Sequence, residues 1–122
     1  MVRRLTAILS ADVVGYSRLM GEDEVATLTA LKNHKAELID PKAFQYGGRI
    51  IKLMGDGVLM EFGSVVEAVN FAVEMQGAMR DRNADLPEQR QILYRIGINI
   101  GDVIVEGDDI YGDGVNVATR LE

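Results

Sequence analysis

The chain has 122 residues, 48% of them apolar, and a net charge of −6 from 13 Lys or Arg against 19 Asp or Glu. This predicts one domain with a core of its own and argues against a nucleic-acid surface, so an anionic ligand would depend on metal ions or a few placed cations. The lack of cysteine excludes disulfides and thiolate metal sites, and no apolar run reaches the length of a membrane span. Asp12 interrupts the first apolar stretch too early for a secretory signal, so a cytoplasmic protein without membrane insertion is expected.

Leu5 to Val14 is almost continuously apolar and ends at Gly15, which predicts a buried strand carrying Asp12 at its far end. Gly21-Glu22-Asp23-Glu24 then opens a helix, its acids placed where the helix dipole favours negative charge. Val25, Leu28, Leu31 and Leu38-Ile39 give that helix an apolar stripe, and Asp40-Pro41 is expected to stop it. His34 falls mid-helix among polar neighbours and reads as a solvated histidine. Gly47-Gly48 leads into strands at about 49–53 and 57–62, joined by a Gly55-Asp56-Gly57 turn whose glycines supply positive φ.

Ser64 and Glu67 have capping-box spacing for a helix whose buried face is predicted as Val65, Val69, Ala72, Met75 and Met79, with Glu67, Asn70 and Glu74 opposite. A polar loop with Asn83, Asp85 and Pro87 follows. Strands over 92–100 and 103–105 are then expected to turn at Gly101-Asp102, and a last helix to begin near Val115. The order β-α-β-β-α-β-β-α predicts an α+β domain with a ferredoxin-like βαββαβ core, an antiparallel sheet with helices packed on one face. Such folds host many functions, so the site has to decide.

The most informative stretch is Lys52-Leu53-Met54-Gly55-Asp56-Gly57, a cation, a tight turn and a carboxylate in close succession. In a βαββαβ sheet the first strand and the central hairpin are neighbours, so Asp12 and Asp56 are expected to converge at one edge. Two hard carboxylates there suit divalent ions in phosphoryl transfer. Val13-Val14-Gly15-Tyr16-Ser17 has the turn flexibility to let a triphosphate approach. Asn116 and Arg120 share one face of the last helix. Plainer readings stand beside these: Asp12 as a solvated strand end, Asp56 as an ordinary turn former, Lys52 as a strand lysine, Asn116 and Arg120 as surface polar residues. No residue is a clear general base.

Ala11-Asp12-Val13-Val14-Gly15-Tyr16-Ser17, Lys52-Leu53-Met54-Gly55-Asp56-Gly57 and Asp109-Ile110-Tyr111-Gly112-Asp113-Gly114-Val115-Asn116-Val117-Ala118-Thr119-Arg120 together resemble the class III adenylate and guanylate cyclase catalytic domain. The match is in order and covers nearly the whole chain. The resemblance implies the nucleotide cyclase fold and a head-to-tail homodimer with composite active sites between its subunits. It implies ATP as substrate, cyclic AMP and pyrophosphate as products, and two divalent metal ions, Mg or Mn, on Asp12 and Asp56. Lys52 and Asp109 would read adenine; guanylate cyclases of the family carry an acid where this chain has Lys52. Arg95 would contact the terminal phosphates. Asn116 and Arg120 would hold the ribose and the charge on the α-phosphate in the transition state. Asp12, Asp56 and Arg95 would come from one protomer, and Lys52, Asp109, Asn116 and Arg120 from the other.

Two departures stand out. Tyr16-Ser17 replaces the family's common Phe-Thr, and the chain stops at Glu122, where a complete domain continues. Residues 1–122 are thus expected to be the N-terminal portion of a cyclase domain, lacking its last helix and strands and a lysine that holds the triphosphate from the partner side. Regulatory domains are expected in the full-length protein. Three other readings compete. A diguanylate cyclase or polymerase-palm relative would place acids on a similar hairpin, but the Gly-Gly-acid-acid-Phe signature is missing. The others are a guanylate cyclase and a non-catalytic, cyclase-derived dimerisation or nucleotide-sensing module.

Overall fold

The computed structural model describes residues 2–107, 109–112, 115 and 118. Its first strand, β1 (Val2–Val13), lies at the centre of a five-stranded antiparallel sheet. Both faces of β1 are covered, which is why its sequence is apolar almost throughout rather than alternating. Ala7, Leu9, Ala11 and Val13 enter the main core on the helix side, while Ile8 enters a smaller core on the other face. The strand order is β2-β3-β1-β4-β5, with β2 at Arg49–Met54, β3 at Gly57–Phe62, β4 at Tyr94–Glu106 and β5 at Asp109–Tyr111. Strands β1 to β4 and the helices between them give the expected α+β, ferredoxin-like βαββαβ core, and β5 extends the sheet beyond β4.

Helices α1 (Tyr16–Glu22), α3 (Asp40–Gln45) and α4 (Val65–Asn83) supply Leu19, Ala43, Ala68, Phe71, Met75 and Met79 to the main core, and α2 (Glu24–His34) packs Ala30 and Leu31 against it. Phe62 and Phe71 meet there with ring centroids 5.3 Å apart. A Cβ at Gly48 would fall 2.7 Å from Cζ of Phe62, so glycine lets the start of β2 close onto that ring. Ser64 caps α4 as expected, its hydroxyl accepting from the Glu67 N–H at 3.1 Å.

Five local expectations are corrected. Asp40-Pro41 does not stop the helix: a π-helical turn at Lys35–Ile39 carries it into α3. In that turn the Asp40 N–H reaches back to Lys35 O, and the widened ladder accommodates the proline ring and its missing donor. Gly101-Asp102 does not turn either. β4 runs unbroken past it because β1 is long enough to pair with it, Thr6 opposite Gly101 and Leu5 opposite Asp102. The chain instead reverses after Glu106, where Gly107 has φ 60°.

A separate helix, α1, precedes the helix start expected at Gly21, entered through Gly15 at φ 67°. The buried face of α4 is Ala68, Phe71, Met75, Met79 and Asn83, while Val65 and Val69 are exposed. Asn83 is held there by bonds to both the N–H and the C=O of Ile92. His34 is buried rather than solvated, its Nδ1 3.3 Å from the Tyr94 hydroxyl. Burial and the nearby Arg82 guanidinium hold its pKa below the usual value.

On the sheet face away from the helices, Glu61 is 8% exposed and takes bonds from Arg4 Nε at 2.9 Å and a guanidinium nitrogen of Arg49 at 3.0 Å. Burial pushes its carboxyl up, but the bonds from Arg4, Arg49 and Thr6 outweigh it and leave the group below its ordinary value. No helix among the described residues is long and apolar enough to cross a membrane.

Candidate active site

Asp12 lies near the C-terminal end of β1, where the ladder pairs it with Gly57 of β3 on one side and Arg95 of β4 on the other. A side chain at that place is aimed by two neighbouring strands, the kind of rigid support that a ligand-binding carboxylate needs. Asp56 directly precedes Gly57, in the two-residue turn that joins Met54 to Gly57. Gly55 has φ 58° and Asp56 does not have positive φ, the pattern of a hairpin turn that needs glycine only at its first central position. The sheet therefore brings Asp12 and the Asp56 turn together at one end of the β1–β3 ladder.

Arg95 places a cation beside Asp12. Its Nε lies 3.2 Å from Asp12 Oδ1, with Arg95 56% and Asp12 23% exposed. The loop between β1 and α1 is tied down by the Val14 N–H, which donates to Leu93 O at 2.8 Å. Behind the turn, on the helix side, lies a cavity of about 200 Å³ bounded by Tyr16, Leu31, Ile39, Val58 and Tyr94. Its walls are mostly apolar, with Lys32, Lys35 and Asp56 as their charged members.

Asp12 and Asp56 suit hard divalent ions by the chemistry of their oxygens. Among the described residues no group of three or more His, Cys, Asp or Glu could hold a metal. Two carboxylates alone would leave most coordination positions to phosphate oxygens and water, the arrangement in which magnesium is ordinarily bound with nucleotides.

The second cluster joins the two edges of the sheet. Lys52 on β2 pairs with Leu59, placing it on the face away from the helices, after a register shift between Ile50 and Lys52. Its Nζ lies 3.0 Å from Asp109 Oδ1 on β5, the opposite edge strand. Contact between first and last strands requires a strongly curled sheet, the accumulated result of strand twist. The hydrogen bond from Lys52, followed by that from the Ile110 N–H at 2.8 Å, holds the Asp109 carboxyl below the usual range. Lys52 Nζ also sits 5.4 Å from the centroid of the Tyr111 ring. Tyr111 lies within a motif singled out in the sequence but carried no expectation of its own. An aromatic two residues after Asp109 was the available signal.

Five of the seven expected site residues thus fall into two clusters, Asp12 with Arg95 and the Asp56 turn, and Lys52 with Asp109. Asn116 and Arg120 lie outside the described residues.

The sequence pattern of the family described as "Adenylate and Guanylate cyclase catalytic domain" matches residues 4–122. A Rhizobium meliloti (strain 1021) protein provisionally named adenylate cyclase 3 is 54% identical over 98% of this chain and 20% of its own. A Streptomyces coelicolor protein named adenylate cyclase is 34% identical over 99% of this chain and 30% of its own. The chain therefore spans between a fifth and a third of the length of these relatives. Among solved structures, an adenylate/guanylate cyclase/hydrolase from Silicibacter pomeroyi is 52% identical with a TM-score of 0.93, covering 99% of this chain and 70% of that one. By its motifs, its sheet topology and these matches, the chain belongs to the adenylate and guanylate cyclase catalytic domain family.

Proposed function

We propose that the chain is the catalytic portion of an adenylate cyclase that converts ATP to cyclic AMP and pyrophosphate, with two divalent ions, Mg or Mn, at the interface of a cytoplasmic homodimer. The observation that carries the choice of base is the Lys52–Asp109 pair at 3.0 Å, which sets one donor and one acceptor side by side. Adenine presents a ring acceptor next to an amino donor and matches that order. Guanine presents a ring donor next to a carbonyl acceptor and leaves both groups mispaired, which is costly in a closed site. The adenylate cyclase names of the two relatives point the same way.

In this reading Asp12 and Asp56 hold the ions, which neutralise the leaving pyrophosphate and acidify the ribose 3′ hydroxyl when bound. Arg95 offers its guanidinium to the terminal phosphates, and Lys52 with Asp109 orients the base. Asn116 and Arg120 of the partner-side set fix the ribose and meet negative charge growing on the α-phosphate, a role suited to a planar fork of donors. The 3′ oxygen–phosphorus bond forms as the bond from the α-phosphorus to the bridging oxygen breaks, and the 3′ proton leaves to solvent. His34, the chain's single histidine, is buried against Tyr94, so no imidazole is offered as base. The additional length of the relatives is where regulatory domains would lie.

The test is to incubate the longest soluble form of the polypeptide with MnCl2 and either ATP or GTP and to identify the product by mass. Cyclic AMP is expected, with GTP turned over at least about 10-fold more slowly, and Lys52→Glu combined with a matching change at Asp109 should shift the preference toward GTP. Equal turnover of both nucleotides, or no cyclic product from either, would refute the proposal.

A further inference from the structure

Resting on that adenylate cyclase reading, we infer that Tyr111 is the positioning residue that fixes which member of the Lys52–Asp109 pair faces which edge group of the base. Lys52 carries a compact charge on a flexible four-carbon stem, and a partly exposed ion pair restrains such a stem only weakly. Lys52 and Asp109 side chains are 35% and 33% exposed, so their pairing alone leaves the geometry loose. Tyr111 adds restraint on both members. Its ring sits beneath the Lys52 ammonium, 5.4 Å from Nζ to centroid, and its hydroxyl is near enough to the Asp109 carboxylate to be pushed above its ordinary pKa by that group. Tyr111 is anchored in turn by the β4–β5 ladder, where it pairs with Ile104.

The consequence follows from the base edges. A Lys–Asp pair in one order satisfies adenine. The same pair with its two members exchanged satisfies guanine, the lysine now donating to the carbonyl oxygen and the aspartate accepting from the ring N–H. Anchorage on opposite edge strands keeps the two backbones apart, so discrimination requires that the flexible lysine head and the carboxylate not slip past each other at the base edge. A cation over an aromatic face at a partly exposed site biases the lysine position by about 2- to 5-fold, and the neighbouring hydroxyl favours the charged aspartate as well. Loosening the pair should therefore relax the preference toward GTP, where a merely structural lesion would depress both substrates together.

The experiment measures kcat and KM for ATP and GTP with Mn2+ in the wild-type polypeptide, Tyr111→Leu and Tyr111→Phe. Tyr111→Leu is expected to lower the ATP:GTP ratio of kcat/KM by about 5-fold or more, mainly through a higher KM for ATP, with GTP turnover kept or raised. Tyr111→Phe keeps the ring and loses the hydroxyl, and should lower the ratio by about 2-fold. Tyr111 is 47% exposed, so little core is disturbed; should the leucine variant not fold, the phenylalanine variant decides alone. A ratio unchanged in the folded variants of a wild type that prefers ATP would overturn this inference and leave the function standing. A wild type with no preference for ATP would overturn both.

Discussion

Arg95→Ala should move two measurements in opposite directions. Without nucleotide, Arg95 is the counter-ion of Asp12, its Nε 3.2 Å from Oδ1. A divalent ion arriving at Asp12 has to displace or share with that guanidinium, so removing it frees the carboxylate. Arg95 is 56% exposed, so solvent screens the pair, and its interaction is worth about 0.2–1 kcal/mol. At about 1.36 kcal/mol per decade, Mn2+ should bind the variant roughly 1.4- to 5-fold more tightly when nucleotide is absent. With ATP present the sign reverses. A lost charge-assisted bond to a terminal phosphate costs about 1.5–3 kcal/mol, so KM for ATP should rise by about 10- to 100-fold. The larger effect wins under turnover and the variant should be a poor cyclase. Titrating Mn2+ by electron paramagnetic resonance reads the first effect, and steady-state cyclic AMP production reads the second. Weaker Mn2+ binding in Arg95→Ala would refute the competition between arginine and metal, and an unchanged KM would refute the phosphate contact.

Two further outcomes are expected. Asp56→Ala and Arg120→Ala proteins, each inactive alone, should recover up to about a quarter of wild-type activity when mixed, because a random heterodimer holds one intact composite site; no recovery despite demonstrated subunit exchange would place each site within a single chain. Burial and Arg82 keep the folded-state pKa of His34 below 6.5, so the unfolded chain binds its proton first as pH falls. Stability should therefore be full above about 6.5 and decline toward the lowered value, and His34→Gln should flatten that part of a melting-temperature profile; a profile unchanged by the substitution would show that the histidine is already solvated.

What the sequence shows plainly is what local chemistry decides. The continuous apolar run of β1, the Gly55 turn and the Ser64 cap are each set by neighbours within a few residues, and each is found where it was expected. The misread places depend on distant partners or on a local irregularity. Gly101-Asp102 is a turn signal by itself, but Leu5 and Thr6 across the ladder keep it extended. Asp40-Pro41 looks like a helix stop unless a π-turn relieves the proline, which composition does not announce. His34 looks solvated beside its polar chain neighbours, while Tyr94, the group that covers it, comes from another element entirely. The site follows the same division. Asp12, Asp56, Lys52 and Asp109 were legible as motif positions, yet the meeting of Lys52 with Asp109 needs the curl that brings β2 to β5.

That curl explains why a charged pair, rather than a single polar residue, suits the proposed base site. Lys52 and Asp109 stand on opposite edges of the sheet and hold each other when no nucleotide is present, so neither is left as a lone charge on a half-buried face. Lysine has three N–H donors and a carboxylate about four acceptor positions, so each can keep its bond to the other and still make one to a base. Adenine could then be read without breaking the contact that closes the sheet, and the site would keep the same geometry empty and filled. A guanine-reading acid at position 52 would face Asp109 carboxylate to carboxylate, and the same closure would become repulsive. The identity of residue 52 therefore bears on shape as well as on specificity, and a change of base preference at this position calls for a compensating change at Asp109.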